Sequence, residues 1–146
     1  LMLDTGVVKD GYFCDFDRNY SVGAPSKAVI RAQDALHFAI DVALETLRPG
    51  TTAADLYRTM TDALREAGAI PSAGRFGHGL GLTLTEWPSL TAKDTTPLRE
   101  GMVLTLEPGV EISSGKFLVH EENIVLRASG PELLSTRAPK DLPRLV

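Results

Sequence analysis

Leu3-Asp4-Thr5-Gly6-Val7-Val8-Lys9-Asp10-Gly11-Tyr12-Phe13-Cys14-Asp15-Phe16-Asp17-Arg18 sets two β-prone stretches on either side of the turn signal Lys9-Asp10-Gly11. This predicts a β-hairpin from Leu1 to Val22. Side chains alternate along a strand, so Asp15 and Asp17 share one face, and both plausible turns bring Asp4 to it. A four-residue loop from Val8 to Gly11 sets Asp4 opposite Asp15 at roughly 5 Å, whereas a two-residue Asp10-Gly11 turn sets Asp4 opposite Asp17 with Asp15 on the diagonal. Like charges that face each other destabilise a hairpin, so either register calls for a cation. Cys14 points to the other face and reads as a small core residue.

The same reasoning applies near the other end. Met102 to Ile112 and Phe117 to Arg127 read as strands around Ser113-Ser114-Gly115. A three-residue loop pairs Ile112 with Lys116, and counting back puts Glu107 opposite Glu121 and turns Glu122 to the other face, solvated or salt-bridged. Between the hairpins, Pro25-Ser26 starts a helix with Val29, Ala32, Leu36, Ile40, Ala43 and Leu47 on one face, stopped by Pro49-Gly50. A second helix starts in Thr51-Thr52, carries Leu56, Met60 and Leu64, and ends at Gly68. Residues 76–86 form a Gly-rich strand that contains His78, and the chain from Pro131 onward reads as an irregular tail. Segregated runs of strand and helix predict an α+β fold with a largely antiparallel sheet.

Taken singly, Asp4 or Asp17 is an ordinary turn or edge-strand carboxylate, and a histidine beside glycines is ordinarily structural. Their joint register points elsewhere. Four carboxylates (Asp4, Asp15, Glu107, Glu121) and one imidazole (His78) make a hard, oxygen-rich donor set that suits two divalent ions of Mn, Co, Fe or Zn. Bridging carboxylates can hold two ions about 3.5 to 4 Å apart, where a water between them becomes a hydroxide nucleophile, so hydrolysis is the chemistry implied. Packed together without a cation, these groups are expected to show a raised pKa on at least one carboxylate.

Composition agrees and excludes. The 146 residues are 43% apolar and 23% charged, enough for one ordinary globular core. A net charge of -4 without a basic cluster argues against nucleic acid. The single cysteine is compatible with the cytoplasm, and no apolar run approaches the ~20 residues that span a bilayer.

These residues resemble the pita-bread metallohydrolases, the methionine and Xaa-Pro aminopeptidases, creatinase and ectoine-hydrolase-like enzymes. Leu3-Asp4-Thr5-Gly6, Asp10-Gly11-Tyr12, Asp15 and Arg18 look like the family's first metal segment, whose two aspartates stand eleven residues apart as Asp4 and Asp15 do. Gly77-His78-Gly79-Leu80-Gly81 is similar to its metal histidine motif, Gly101-Met102-Val103 through Glu107-Pro108-Gly109 to its glutamate motif, and Glu121-Glu122-Asn123-Ile124-Val125 to its bridging glutamate.

The resemblance implies a pita-bread fold with helices on one side, incomplete at its N-terminus, residues 1–146 forming a partial catalytic domain. It implies amide-bond hydrolysis by a metal-bridging hydroxide, with Glu107 also taking the water's proton. The implied substrate is a small molecule or short peptide, and the chain is either a homodimer or completed by a missing N-terminal segment. Two positions depart from the peptidases: Thr85 stands where they carry a second histidine, and Gly74 where Xaa-Pro aminopeptidases carry another. Threonine donates a hydrogen bond but is no acid near pH 7. The departures therefore imply a shifted substrate, as in family members that act as compatible-solute hydrolases or lyases, or a non-catalytic relative. Thr85's hydroxyl is expected near the ions but beyond coordinating distance.

Overall fold

The computed structural model describes every residue except Ala73. β1 (Met2–Lys9) and β2 (Tyr12–Asn19) pair antiparallel as a two-stranded ribbon, with Lys9 opposite Tyr12 and Asp4 opposite Asp17. Of the two registers open to the sequence, the two-residue turn is the one formed. Asp10 and Gly11 both have positive φ (52° and 86°), the type I′ geometry that matches strand twist. After the short β3 (Ser21–Val22) come α1 (Lys27–Thr46) and α2 (Ala53–Glu66). Ser26 and Thr52 cap them, each side chain accepting from the N–H three residues on. Leu36, Ile40 and Leu47 of the first apolar face and Leu56, Met60 and Leu64 of the second are buried in one core with Phe76, Leu90, Leu104, Leu106 and Ile124.

The rest is sheet: β4 (Ile70–Pro71), β5 (Arg75–Gly79), β6 (Glu86–Thr91), β7 (Val103–Leu106), β8 (Gly109–Ser113), β9 (Lys116–Val119), β10 (Glu122–Arg127), β11 (Gly130–Leu133) and β12 (Arg144–Leu145). One five-stranded sheet has the order β11-β10-β7-β5-β6, and a three-stranded sheet has the order β4-β8-β9. Among the described residues, all strand pairings are antiparallel except that of β12 with β3. α1 packs on β8, β9 and β11, and α2 on β4, β5 and β6.

Four expectations are corrected. The strand read over 76–86 ends at Gly79, and after a loop the chain returns as β6, with Gly79 opposite Glu86. The strands read as Met102–Ile112 and Phe117–Arg127 are each broken, at Glu107-Pro108 and at His120-Glu121. At those two breaks the chain passes between the two sheets, because Pro108 has no N–H to continue a ladder. The anticipated register survives on both sides, since Leu106 faces Glu122 and Gly109 faces Val119, which leaves Glu107 level with Glu121. Only beside the turn does a bulge put Ser113, not Ile112, opposite Lys116. Finally, the tail from Pro131 is not irregular: it completes β11 at the sheet edge and returns as β12 beside β3.

Candidate metal centre

The ribbon lays Asp4, Asp15 and Asp17 on one face, and the two strand breaks bring Glu107 and Glu121 towards it. One carboxylate oxygen each from Asp4, Asp15 and Glu121 lie within 4.8 Å of one another. His78, on β5, puts Nε2 3.4 Å from Glu107 Oε1 and 3.8 Å from Asp15 Oδ2. Gly77 makes that placement possible, for a Cβ there would sit 2.1 Å from the Thr105 carbonyl oxygen, and its φ is +141°. The same close approach lets the Thr105 hydroxyl accept from the His78 N–H at 3.0 Å and lie 3.4 Å from Glu107 Oε1.

Backbone clamps hold the carboxylates in register. Arg18 donates to the carbonyls of Glu121 (2.6 Å) and Asp17 (3.0 Å), tying the ribbon to the second glutamate break. Asn123 donates to the Asp15 carbonyl. The Asn123 contact has no local sequence signal, as Asn123 and Asp15 are far apart along the chain. Arg75, whose guanidinium lies 3.5 Å from Glu107 Oε1, was likewise not anticipated.

The electrostatics are those of a cluster short of positive charge. Burial, then Asp15, Glu107, Asp17 and Asp4, push Glu121 up to about 9. Burial, then Asp4 and Glu107, raise Asp17 to about 7 against the opposing Arg18. Burial and Asp4 raise Asp15, and burial raises Glu107 although His78 and Arg75 oppose it. Such shifts mark carboxylates that burial first, and like charge second, keep from ionising.

Two observations test whether these residues fit a metal. Glu121 Oε1, in a side chain only 2% exposed, has no hydrogen-bond partner, and an orphaned buried carboxylate oxygen is costly unless a cation meets it. The second is the tautomer of His78. Its Nδ1 lies 2.9 Å from the Gly79 carbonyl, which can only accept, so Nδ1 carries a proton there and Nε2 is the ring nitrogen that faces Asp15 and Glu107. A backbone carbonyl behind the ring is the usual support of a metal-bound histidine, and it leaves Nε2 free to be the donor atom among the carboxylates. The donor set is hard and oxygen-rich, without sulfur; Cys14, half-buried and outside the core, is not among the clustered donors.

Of the remaining sequence candidates, Thr85 lies in the exposed loop between β5 and β6. The Glu86 carboxylate accepts from the Thr83 N–H (2.8 Å), the Thr83 hydroxyl donates to the Thr85 carbonyl (3.1 Å), and Phe13 N–H reaches the Gly81 carbonyl (2.8 Å), fastening that loop to the ribbon. Glu122 faces away from the cluster, as its register requires, but it is fully buried and not solvated. It accepts from His120 Nε2 and the Ala138 N–H, both at 2.9 Å, and lies 3.6 Å from Arg18.

A relation to known proteins accounts for this arrangement. Residues 1–128 match the metallopeptidase family M24, and the chain belongs to that family. It is 30% identical over 143 residues to an Xaa-Pro dipeptidase of Pyrococcus furiosus, covering 97% of this chain and 41% of that enzyme. It is 32% identical over 149 residues to a putative dipeptidase of Bacillus subtilis, covering 97% and 39%. The crystal structure of an X-Pro aminopeptidase from Thermotoga maritima superposes with a TM-score of 0.89 at 31% identity, over 99% of this chain and 41% of that one. The fold is thus the pita-bread fold, and the chain spans about two fifths of the length of the relatives it matches. Among the described residues no helix is long and apolar enough to cross a membrane.

Proposed function

We propose that this chain carries the catalytic centre of a metal-dependent amide-bond hydrolase, with Asp4, Asp15, His78, Glu107 and Glu121 as the residues that would hold two divalent ions of the Mn, Fe, Co or Zn type. The observation that carries the reading is the His78 ring, tied at Nδ1 to Gly79 and presenting Nε2 to Asp15 and Glu107. Divalent ions bound there would supply an acidified water and polarise a carbonyl. Glu107 is the general base in this reading. Thr105 at 3.4 Å and Arg75 at 3.5 Å keep the same carboxylate oriented.

The relatives are named as dipeptidases and aminopeptidases, which supports an amide substrate. Thr85 narrows it. A hydroxyl at that place in the loop can donate one hydrogen bond to a carbonyl but is no acid near pH 7, so this departure favours a substrate other than an Xaa-Pro peptide, such as a small cyclic amide, with Glu107 passing the water's proton to the leaving nitrogen. The test is turnover by the full-length, metal-loaded protein, wild type and Thr85→His, of Xaa-Pro dipeptides and of cyclic amides. Cyclic-amide turnover by the wild type, with dipeptide cleavage appearing only in Thr85→His, is expected. Efficient Xaa-Pro cleavage by the wild type would defeat the substrate assignment, and a metal-loaded protein that hydrolyses no amide would defeat the catalytic reading.

A further inference from the structure

Asp17 is a third aspartate on the metal-facing side of the ribbon, directly opposite Asp4 and two residues from Asp15. Unlike an ordinary edge-strand carboxylate it is 5% exposed, and its Oδ1 has no hydrogen-bond partner. The neighbouring guanidinium does not answer it: Arg18 donates to the Asp17 backbone carbonyl and to that of Glu121. Across the ribbon it faces Asp4, whose carboxylate oxygen lies within 4.8 Å of those of Asp15 and Glu121. Two orphaned buried carboxylate oxygens, on Asp17 and Glu121, thus border one set of acidic groups, and among the described residues neither finds a hydrogen-bond partner.

We propose that Asp17 is a further cation-directed carboxylate of this centre, a positioning residue that acts on the ions beside the five residues above and favours hard divalent cations, Mn(II) over Zn(II). The inference rests on the metal reading of the site. Its physical basis is that an added carboxylate deepens the negative potential for any cation, while oxygen donors favour Mn(II) and imidazole favours Zn(II).

The test uses full-length protein stripped of metal, titrated with Mn(II) and with Zn(II) by calorimetry, in wild type, Asp17→Asn and Asp17→Glu. Asp17→Asn keeps the shape and removes the charge. It is expected to weaken Mn(II) binding about 10- to 100-fold, the range for groups that support metal ligands, and Zn(II) binding less. Asp17→Glu is expected to recover part of the loss. Because Oδ1 has no partner to lose, the metal-free Asp17→Asn protein should unfold at the same temperature as wild type or higher. Unchanged Mn(II) affinity in Asp17→Asn, equal losses for both metals, or a metal-free variant less stable than wild type would each overturn the proposal. Wild-type protein that binds neither ion would sink the metal reading itself, whereas wild-type binding with an unaffected variant sinks only the role of Asp17.

Discussion

Glu121 and Glu122 are neighbours in sequence and equally buried, yet they belong to two regions with opposite electrostatics. Glu121 faces Asp4, Asp15, Asp17 and Glu107, has an oxygen without a partner, and is pushed up to about 9. One residue on, Glu122 also has an oxygen without a hydrogen bond, Oε2, but Arg18 stands 3.6 Å from it and Oε1 accepts from His120 and the Ala138 N–H. Burial alone would raise it, but those contacts hold its carboxyl below the usual range. The His120 ring in turn packs edge-on against His37 at 4.5 Å, and His37 Nε2 meets the Pro139 carbonyl at 3.0 Å. Burial of a carboxylate is therefore not what distinguishes a functional site. The distinction is whether the fold supplies the counter-charge: behind the sheet it does, and in front of it the charge is left for something that binds.

The comparison can be broken by exchanging the two roles. Glu121→Gln in full-length protein is expected to cost about 4 kcal/mol of transition-state stabilisation, roughly a thousandfold in kcat/KM, while leaving the metal-free fold at least as stable as wild type. Retained metal content and activity in that variant would show that Glu121 is not part of the centre. Glu122→Ala should do the reverse at the level of folding. Removing one member of a buried, hydrogen-bonded ion network costs about 3 to 5 kcal/mol, measurable by denaturant unfolding, and a loss near zero would mean that the network is dispensable.

A pH series separates the regions without mutation. Glu121 and Asp17 bind protons more tightly folded than unfolded, so their contribution to stability is fully present below their ordinary values of 4.5 and 3.8. It is lost as pH rises through about 9 and about 7. Metal-free protein should thus melt at a lower Tm at pH 9 than at pH 6, with the difference reduced by Mn(II); a Tm independent of pH over that window would contradict the strained cluster. The smallest effect lies at the rim of the Glu122 region. Arg137 and Asp41 pair at 2.6 Å while both are partly exposed, so Arg137→Ala should cost no more than about 1 kcal/mol, read as a small shift in the urea midpoint.

Where chemistry is local, the sequence was sufficient. The helix starts at Ser26 and Thr52 are caps that bond within three residues, and the apolar faces from Val29 to Leu47 and from Leu56 to Leu64 follow from helical period alone. The level placement of Glu107 with Glu121 follows because the side-chain period of a strand carries across its breaks. On the first hairpin two registers were open, and the positive φ of both Asp10 and Gly11 selects the one that sets Asp4 against Asp17.

Tertiary structure decided the rest. That Glu107-Pro108 and His120-Glu121 are crossings between two sheets depends on what each half pairs with, and no spacing within Met102–Ile112 announces it. The tail became β11 and β12 because partners at β10 and β3 offered unpaired edges. Taken singly, Asp17 is an ordinary edge-strand carboxylate, and only in the folded chain is it 5% exposed with an oxygen that has no hydrogen-bond partner. Sequence period determines which face a side chain takes, but desolvation and counter-charge are sums over everything that packs against that face, and those neighbours exist only once the chain has folded.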